Sequence, residues 1–322
     1  MNKQKKYIIL IIILLVLVAI VQYKILKIAP GNANNIKTDF KNNEEILDYN
    51  IDDIKISDIN LPPQKKETYT EPKIFAKNYI LVDANSFYTL TEKDSNAYVP
   101  IASTTKIMTA IIVLENYNLN EVITVSEKAC NQIGSSIFLR KNETISIENL
   151  LFGLLISSGN DSAMALAENI GLPEFVDKMN EKAKSLNLDN TVFKDPAGLD
   201  DNGKSSAKDL AILTAYALKN DDFRRIIKIS DLTIYSEDKK ITHTLKGSNR
   251  LVTINEPLFY KYALGVKTGF TPEAGHCLVA AAEKEDNMLI SVVLNTSYSS
   301  KDASARESKK LLEWGFENYN FQ

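Results

Sequence analysis

The 322 residues are 44% hydrophobic and 25% charged, proportions that suit a globular protein with a sizeable core. The formal charge of −3 is uneven: the first 28 residues hold five lysines and no acid, which leaves −8 on everything after them. An acidic body of this kind argues against nucleic acid as a partner.

Lys3, Lys5 and Lys6 precede an unbroken apolar run from Tyr7 to Val21, closed by Gln22, Tyr23 and Lys24. That length fits a signal-peptide core or a short membrane span. No small-x-small cleavage site follows directly, so residues 1–28 are read as an uncleaved membrane anchor in preference to a cleaved signal peptide. The basic flank stays cytoplasmic, which puts the body outside: single-pass at the cell membrane, or secreted if the segment is cleaved. Residues 29–72 are rich in Asn, Asp, Glu and Lys and broken by Pro62, Pro63 and Pro72; they read as a polar tether. The folded domain is assigned to 73–322.

Within it, Ile74–Asp83 and Ser86–Thr91 pattern as a hairpin across Ala84-Asn85. A long apolar helical pattern runs on from Lys106. Helical spacing recurs over Ile147–Ile156, Asp161–Ile170, Glu174–Leu186 and Ser206–Leu218, with Pro173 placed for a first turn and Ser205 or Ser206 for a cap. Strand character returns at Leu264–Thr271, then at Cys277–Ala282 and Met288–Asn295 around the turn Glu283–Asn287. An amphipathic helix closes the chain over about Ala303–Tyr319. This order implies an α+β fold: an antiparallel sheet flanked by helices, with an inserted all-helical lobe. Cys130 and Cys277 stand far apart, fit no metal spacing and read as free thiols.

The chemistry centres on Ser103 and Lys106. A serine at a helix start lies near unpaired backbone N–H groups, and a lysine three residues on shares its face. Serine needs a base to become a nucleophile. Lysine can be that base only if its pKa falls by roughly three units, about 4 kcal/mol of burial and like-charge repulsion. A second lysine should therefore converge on the site. Ser205…Lys208 and Ser236…Lys239 have the same spacing, but neither opens an apolar helix. Ser158-Gly159-Asn160 places a hydroxyl and an amide on a turn between helices, where either could also serve as a cap. Lys267-Thr268-Gly269 lies on a predicted strand, with lysine and glycine on one face and the bare glycine leaving room for a ligand. Lys267 is the second cation required.

Taken together, Ser103-x-x-Lys106, Ser158-x-Asn160 and Lys267-Thr268-Gly269 resemble the three motifs of the penicillin-recognising serine enzymes. The nearest branch is the D-alanyl-D-alanine carboxypeptidases, the low-molecular-mass penicillin-binding proteins. Pro100–Leu114, Leu154–Glu168, Asp195–Asp200 and Gly265–Ala282 also look like that family's blocks. The resemblance implies a β-lactamase/transpeptidase-like fold and a Ser103 acyl-enzyme formed from a peptidoglycan stem peptide ending in D-Ala-D-Ala, or from β-lactams. It implies Lys106 as base, Ser158 as proton relay and Asn160 on the substrate amide. Lys267 and Thr268 would meet the terminal carboxylate beside Gly269, and the N–H groups of Ser103 and Phe270 would form an oxyanion hole. No metal or cofactor is implied. Ala197 departs from the family, in which many members carry a polar side chain there, and this casts doubt on a direct part for its loop.

Other classes fit less well. Only His243 and His276 exist, and neither sits in a triad or zinc context. A class A β-lactamase needs a deacylating glutamate, and Val192–Gly198 has no Glu-x-x-Leu-Asn pattern. A D,D-transpeptidase and a non-catalytic cell-wall binder remain as alternatives. The motifs do not separate hydrolysis from transpeptidation; the family blocks favour hydrolysis.

Overall fold

The computed structural model describes residues 61–296 and 300–321; the apolar run and most of the expected tether lie outside them. Among the described residues no helix is long and apolar enough to cross a membrane. In chain order the strands are β1 (Gln64–Lys65), β2 (Ala76–Asp83), β3 (Thr89–Lys93), β4 (Val99–Pro100), β5 (Val122–Thr124), β6 (Thr144–Ser146), β7 (Lys204–Ser205), β8 (Asp231–Tyr235), β9 (Thr242–Lys246), β10 (Ala263–Thr271), β11 (Gly275–Lys284), β12 (Asn287–Thr296) and β13 (Tyr319–Asn320). The helices are α1 (Lys106–Asn116), α2 (Glu127–Cys130), α3 (Ile147–Leu155), α4 (Asn160–Glu168), α5 (Leu172–Ser185), α6 (Ala207–Ala217), α7 (Asp221–Ile227) and α8 (Ala303–Asn318).

An antiparallel sheet ordered β10-β11-β12-β2-β3 is the frame. Alternate residues of a strand face opposite sides, and here both sides are covered. Ile80, Val82, Ile290 and Val292 join the core shared with the helical lobe and α6. Tyr79, Leu81, Leu289 and Val293 pack instead with Leu311, Leu312 and Trp314 of α8. Double burial explains why these strands read as nearly continuous apolar runs. Gly315 lets α8 sit close, since a Cβ there would fall 2.7 Å from Leu289 and 2.8 Å from Leu81.

Between β3 and β10 the chain leaves the sheet. Helix α1 is buried along Lys106–Val113, which accounts for a pattern apolar on nearly all sides. Ser146 caps α3 by accepting from the Asn149 N–H, and Ser206 caps α6 by accepting from Asp209. Pro173 occupies the first turn of α5. Cys130 and Cys277 are both free.

The sequence reading assigned nothing to α7 or to the β8–β9 hairpin. Helix α7 is only seven residues long, and the hairpin buries little beyond Ile234, His243 and Leu245. Ser236…Lys239 falls at the turn of that hairpin, with Lys239 at φ 58°. Neither it nor Ser205…Lys208, whose lysine is exposed, forms a site.

The boundary expected at residue 72 falls inside the fold. Gln64 and Lys65 pair with Asn320 and Tyr319, and Lys66 Nζ donates to the carbonyls of Phe316 and Glu317. The indole N–H of Trp314 donates to the Thr70 carbonyl at 2.6 Å, and Tyr69 meets Trp314 and Tyr319 edge-on. This strap holds the last helix at its exposed end. A chain beginning at Lys73 should melt below one beginning at Leu61, by about 4–8 °C for a strap contributing ~2 kcal/mol. Equal melting midpoints would show the strap to be decorative.

Candidate active site

Ser103 lies in a 3-10 turn, Ala102–Thr105, that leads into α1. The turn is entered through Ala102 in the left-handed region at φ 48°, an uncommon conformation for a residue with a side chain. Two glycines allow the neighbouring chain to close on it. A Cβ on Gly198 (φ 75°) would lie 2.0 Å from the Ala102 carbonyl oxygen. On Gly269 of β10 it would lie 3.0 Å from the Ile101 carbonyl and 3.1 Å from the Ser103 nitrogen. The glycine of the Lys-Thr-Gly motif thus lets the strand lie directly against the serine turn.

Lys106 is 0% exposed. Its Nζ contacts Ser103 Oγ at 2.8 Å, Asn160 Oδ1 at 2.7 Å and the Ala197 carbonyl at 2.7 Å. The two carbonyl oxygens can only accept. A neutral amine, with two N–H donors and one lone pair, satisfies both and leaves the lone pair for the serine O–H, the one partner able to donate. Burial first, then the charge of Lys267, holds the Lys106 amine well below its ordinary range, against the opposing pull of Asp195 and Asp161. Lys267 on β10 is 1% exposed; it donates to Ser158 Oγ at 2.9 Å and to the Thr268 carbonyl at 3.0 Å. Burial lowers it to about 7.

Ser158 and Asn160 do not cap. Gly159 holds the cap position of α4 with no side-chain bond. Ser158, at φ 60°, turns its hydroxyl to Lys267. Asn160 is committed at both ends, accepting from Lys106 and donating from Nδ2 to the Ile133 carbonyl at 2.6 Å. It was expected on the substrate amide; here it steadies the lysine.

The Asp195–Asp200 loop takes a part that the sequence reading doubted. Its contribution is main chain, so Ala197 needs no polar side chain. The Asp195 carboxylate accepts from the N–H groups of Ala197, Gly198, Leu199 and Asp200 at 2.6–3.0 Å, and the Ala197 carbonyl is thereby turned onto Lys106. Asp161, also missed, is fully buried and accepts from Ser136 Oγ, Ile137 N and Leu139 N, which fixes the loop carrying Gly134 and Ser135 at the site. A buried Asp in an S-x-N-D run was the only signal for it.

These residues meet at a cleft of about 550 Å³ lined by Ser103, Ser158, Asn160, Thr268, Gly269 and Phe270 among others. Ser248, not singled out from sequence, also lines it and pairs its hydroxyl with that of Thr268 at 2.6 Å. Phe270 stacks on His276 with ring centroids 4.4 Å apart. His243 lies buried elsewhere, against Glu143 Oε1 at 2.6 Å and the Ile137 carbonyl at 2.9 Å, a structural pairing.

A serine held by a buried lysine, on an antiparallel sheet with a helical lobe, defines a serine enzyme of the β-lactamase/transpeptidase fold. The chain belongs to the D-alanyl-D-alanine carboxypeptidase family, peptidase S11, whose family pattern matches residues 65–298. It is 38% identical over 253 residues to D-alanyl-D-alanine carboxypeptidase DacF of Bacillus subtilis, covering 76% of this chain and 63% of that one. DacA of Haemophilus influenzae is 37% identical over 265 residues, covering 78% and 64%. The chain therefore spans just under two thirds of the length of these curated relatives. Among solved structures, the Streptomyces K15 DD-transpeptidase superposes with a TM-score of 0.71 at 31% identity, over 77% of this chain and all of the other. The D-alanyl-D-alanine carboxypeptidase of Mycobacterium tuberculosis gives 0.72 at 27% identity, over 79% and 96%.

Both buried amines titrate lower when folded than the lysine value of 10.5. Above about pH 7 the unfolded chain consequently holds more protons than the folded one, and stability rises with pH. The urea midpoint should climb from pH 7 to pH 9.5, and Lys267→Met should flatten the climb. A wild-type midpoint indifferent to pH over that window would contradict the burial of titrating amines.

Proposed function

We propose that the domain is a serine D-alanyl-D-alanine carboxypeptidase that removes the terminal D-alanine from peptidoglycan stem pentapeptides. The observation that carries this reading is the three-partner cradle of Lys106, which leaves the serine as sole proton donor to the amine. Ser103 Oγ attacks the carbonyl carbon of the penultimate D-alanine while its proton passes to Lys106. The N–H groups of Ser103 and Phe270 hold the developing oxyanion, each such donor typically worth about 3–4 kcal/mol. Ser158, bridged to Lys267, passes a proton to the departing D-alanine nitrogen. Water activated by Lys106 then hydrolyses the Ser103 ester. Lys267 keeps Lys106 deprotonated and orients Ser158, and Asn160 positions Lys106.

A β-lactam presents a similar amide and would leave a stable Ser103 ester. No Asp or Glu lines the cleft among the described residues, and Asp195 is occupied by four backbone N–H groups. This supports slow release of such an ester over β-lactamase action. A D,D-transpeptidase differs only in resolving the acyl-enzyme with an amine. The K15 structure, titled a DD-transpeptidase, keeps it as the second reading. The basic flank and apolar run of residues 1–28 support a single-pass anchor with the domain on the extracytoplasmic side, facing the wall.

Intact-mass spectrometry after benzylpenicillin should show one adduct, absent in Ser103→Ala. In Lys106→Ala acylation should slow by about 10²–10⁴-fold, the usual range for a lost general base. Wild-type-like acylation in that variant would remove Lys106 from its role. Free D-alanine released from a pentapeptide without an amine acceptor would favour the carboxypeptidase; release only with an acceptor, the transpeptidase.

A further inference from the structure

A carboxypeptidase acts on a chain end, so its substrate arrives with a free α-carboxylate that needs a cationic partner. Lys267 is poorly placed to supply it. Its Nζ lies behind the cleft wall, 1% exposed, with Ser158 and the Thr268 carbonyl as partners. Lys106 is sealed in its own cradle. Among the described residues lining the cleft, Lys301 is the only lysine or arginine, and no acid accompanies it.

Lys301 stands two residues before α8, exposed to solvent. Ser304, in the first turn of that helix, lines the cleft with it. The next acid in the chain, Asp302, lies 2.9 Å from Arg250 Nη1, so its charge is already matched. A cation facing an acid-free cleft of an otherwise acidic chain draws anions to that cleft alone. The hydroxyls of Thr268 and Ser248 on the same wall can donate to a carboxylate as well.

We propose that Lys301 recognises the free α-carboxylate of the substrate's terminal residue and so makes the site specific for chain ends. The inference rests on the carboxypeptidase reading for the identity of the substrate, but its test does not. In benzylpenicillin the carboxylate sits one carbon from the scissile amide nitrogen, as in D-Ala-D-Ala, and its methyl ester removes that charge. Second-order rates of Ser103 acylation by acid and by ester would be followed by intact mass for wild type, Lys301→Ala, Lys301→Glu and Lys301→Arg.

The acid-to-ester rate ratio should fall about tenfold in Lys301→Ala, as expected on losing one charge-assisted contact. It should fall further in Lys301→Glu and return to near the wild-type value in Lys301→Arg. A ratio unchanged in both the alanine and glutamate variants would overturn the assignment. D-alanine release is measured alongside. Acylation without release would sink the carboxypeptidase reading yet leave the Lys301 ratio legible, whereas no acylation of wild type by either compound would overturn both.

Discussion

The site depends on the burial of two lysine amines that water would otherwise keep charged. Desolvation of an ammonium is costly, and a neighbouring cation raises that cost for the second amine. The fold accepts this penalty by giving Lys106 three polar partners and Lys267 two. What it gains is a free amine at neutral pH, directed by two pure acceptors towards a serine hydroxyl. Neither amine does this alone: Lys106 has the contacts, and Lys267 supplies the second charge.

Much of the surrounding architecture keeps those partners still. Asp195 gathers four N–H groups to aim the Ala197 carbonyl, Thr109 ties the adjoining Pro196 carbonyl at 2.6 Å, and Gly198 makes room for Ala102. Asp161 does the same for the loop on the other side. The doubly covered sheet carries Lys267 on its edge strand β10, and the serine turn packs against that strand at Gly269. Substitutions at these aspartates or glycines would disturb catalysis without touching substrate.

The sheet, the lobe and the three motifs were legible because their signals are local. Buried strands read as apolar runs, helices as 3.6-residue spacing, and Ser103, Lys106 and Lys267 as residue types whose chemistry demands company. What stayed hidden depends on main-chain geometry. Ala197 acts through its carbonyl, which no side-chain reading can find, and the Asp195 clamp is visible only once the loop is closed. Asn160 was read as a substrate ligand because a free amide and a committed one look alike in sequence. The strap at residues 64–70 was taken for tether because its pairing partner lies some 250 residues away, and its polar composition carries no periodicity. Lys301 drew no notice, since a lysine in a polar turn is ordinarily just solvated.

The most direct measurement is the titration of Lys106 itself, followed by NMR of the lysine ε-methylene and Nζ resonances and assigned with Lys106→Arg. The amine should be largely neutral at pH 7 and should titrate higher in Lys267→Met, where the opposing charge is gone. A Lys106 resonance titrating in the ordinary lysine range near 10, in protein that is folded and acylated by penicillin, would contradict the account and require another base for Ser103.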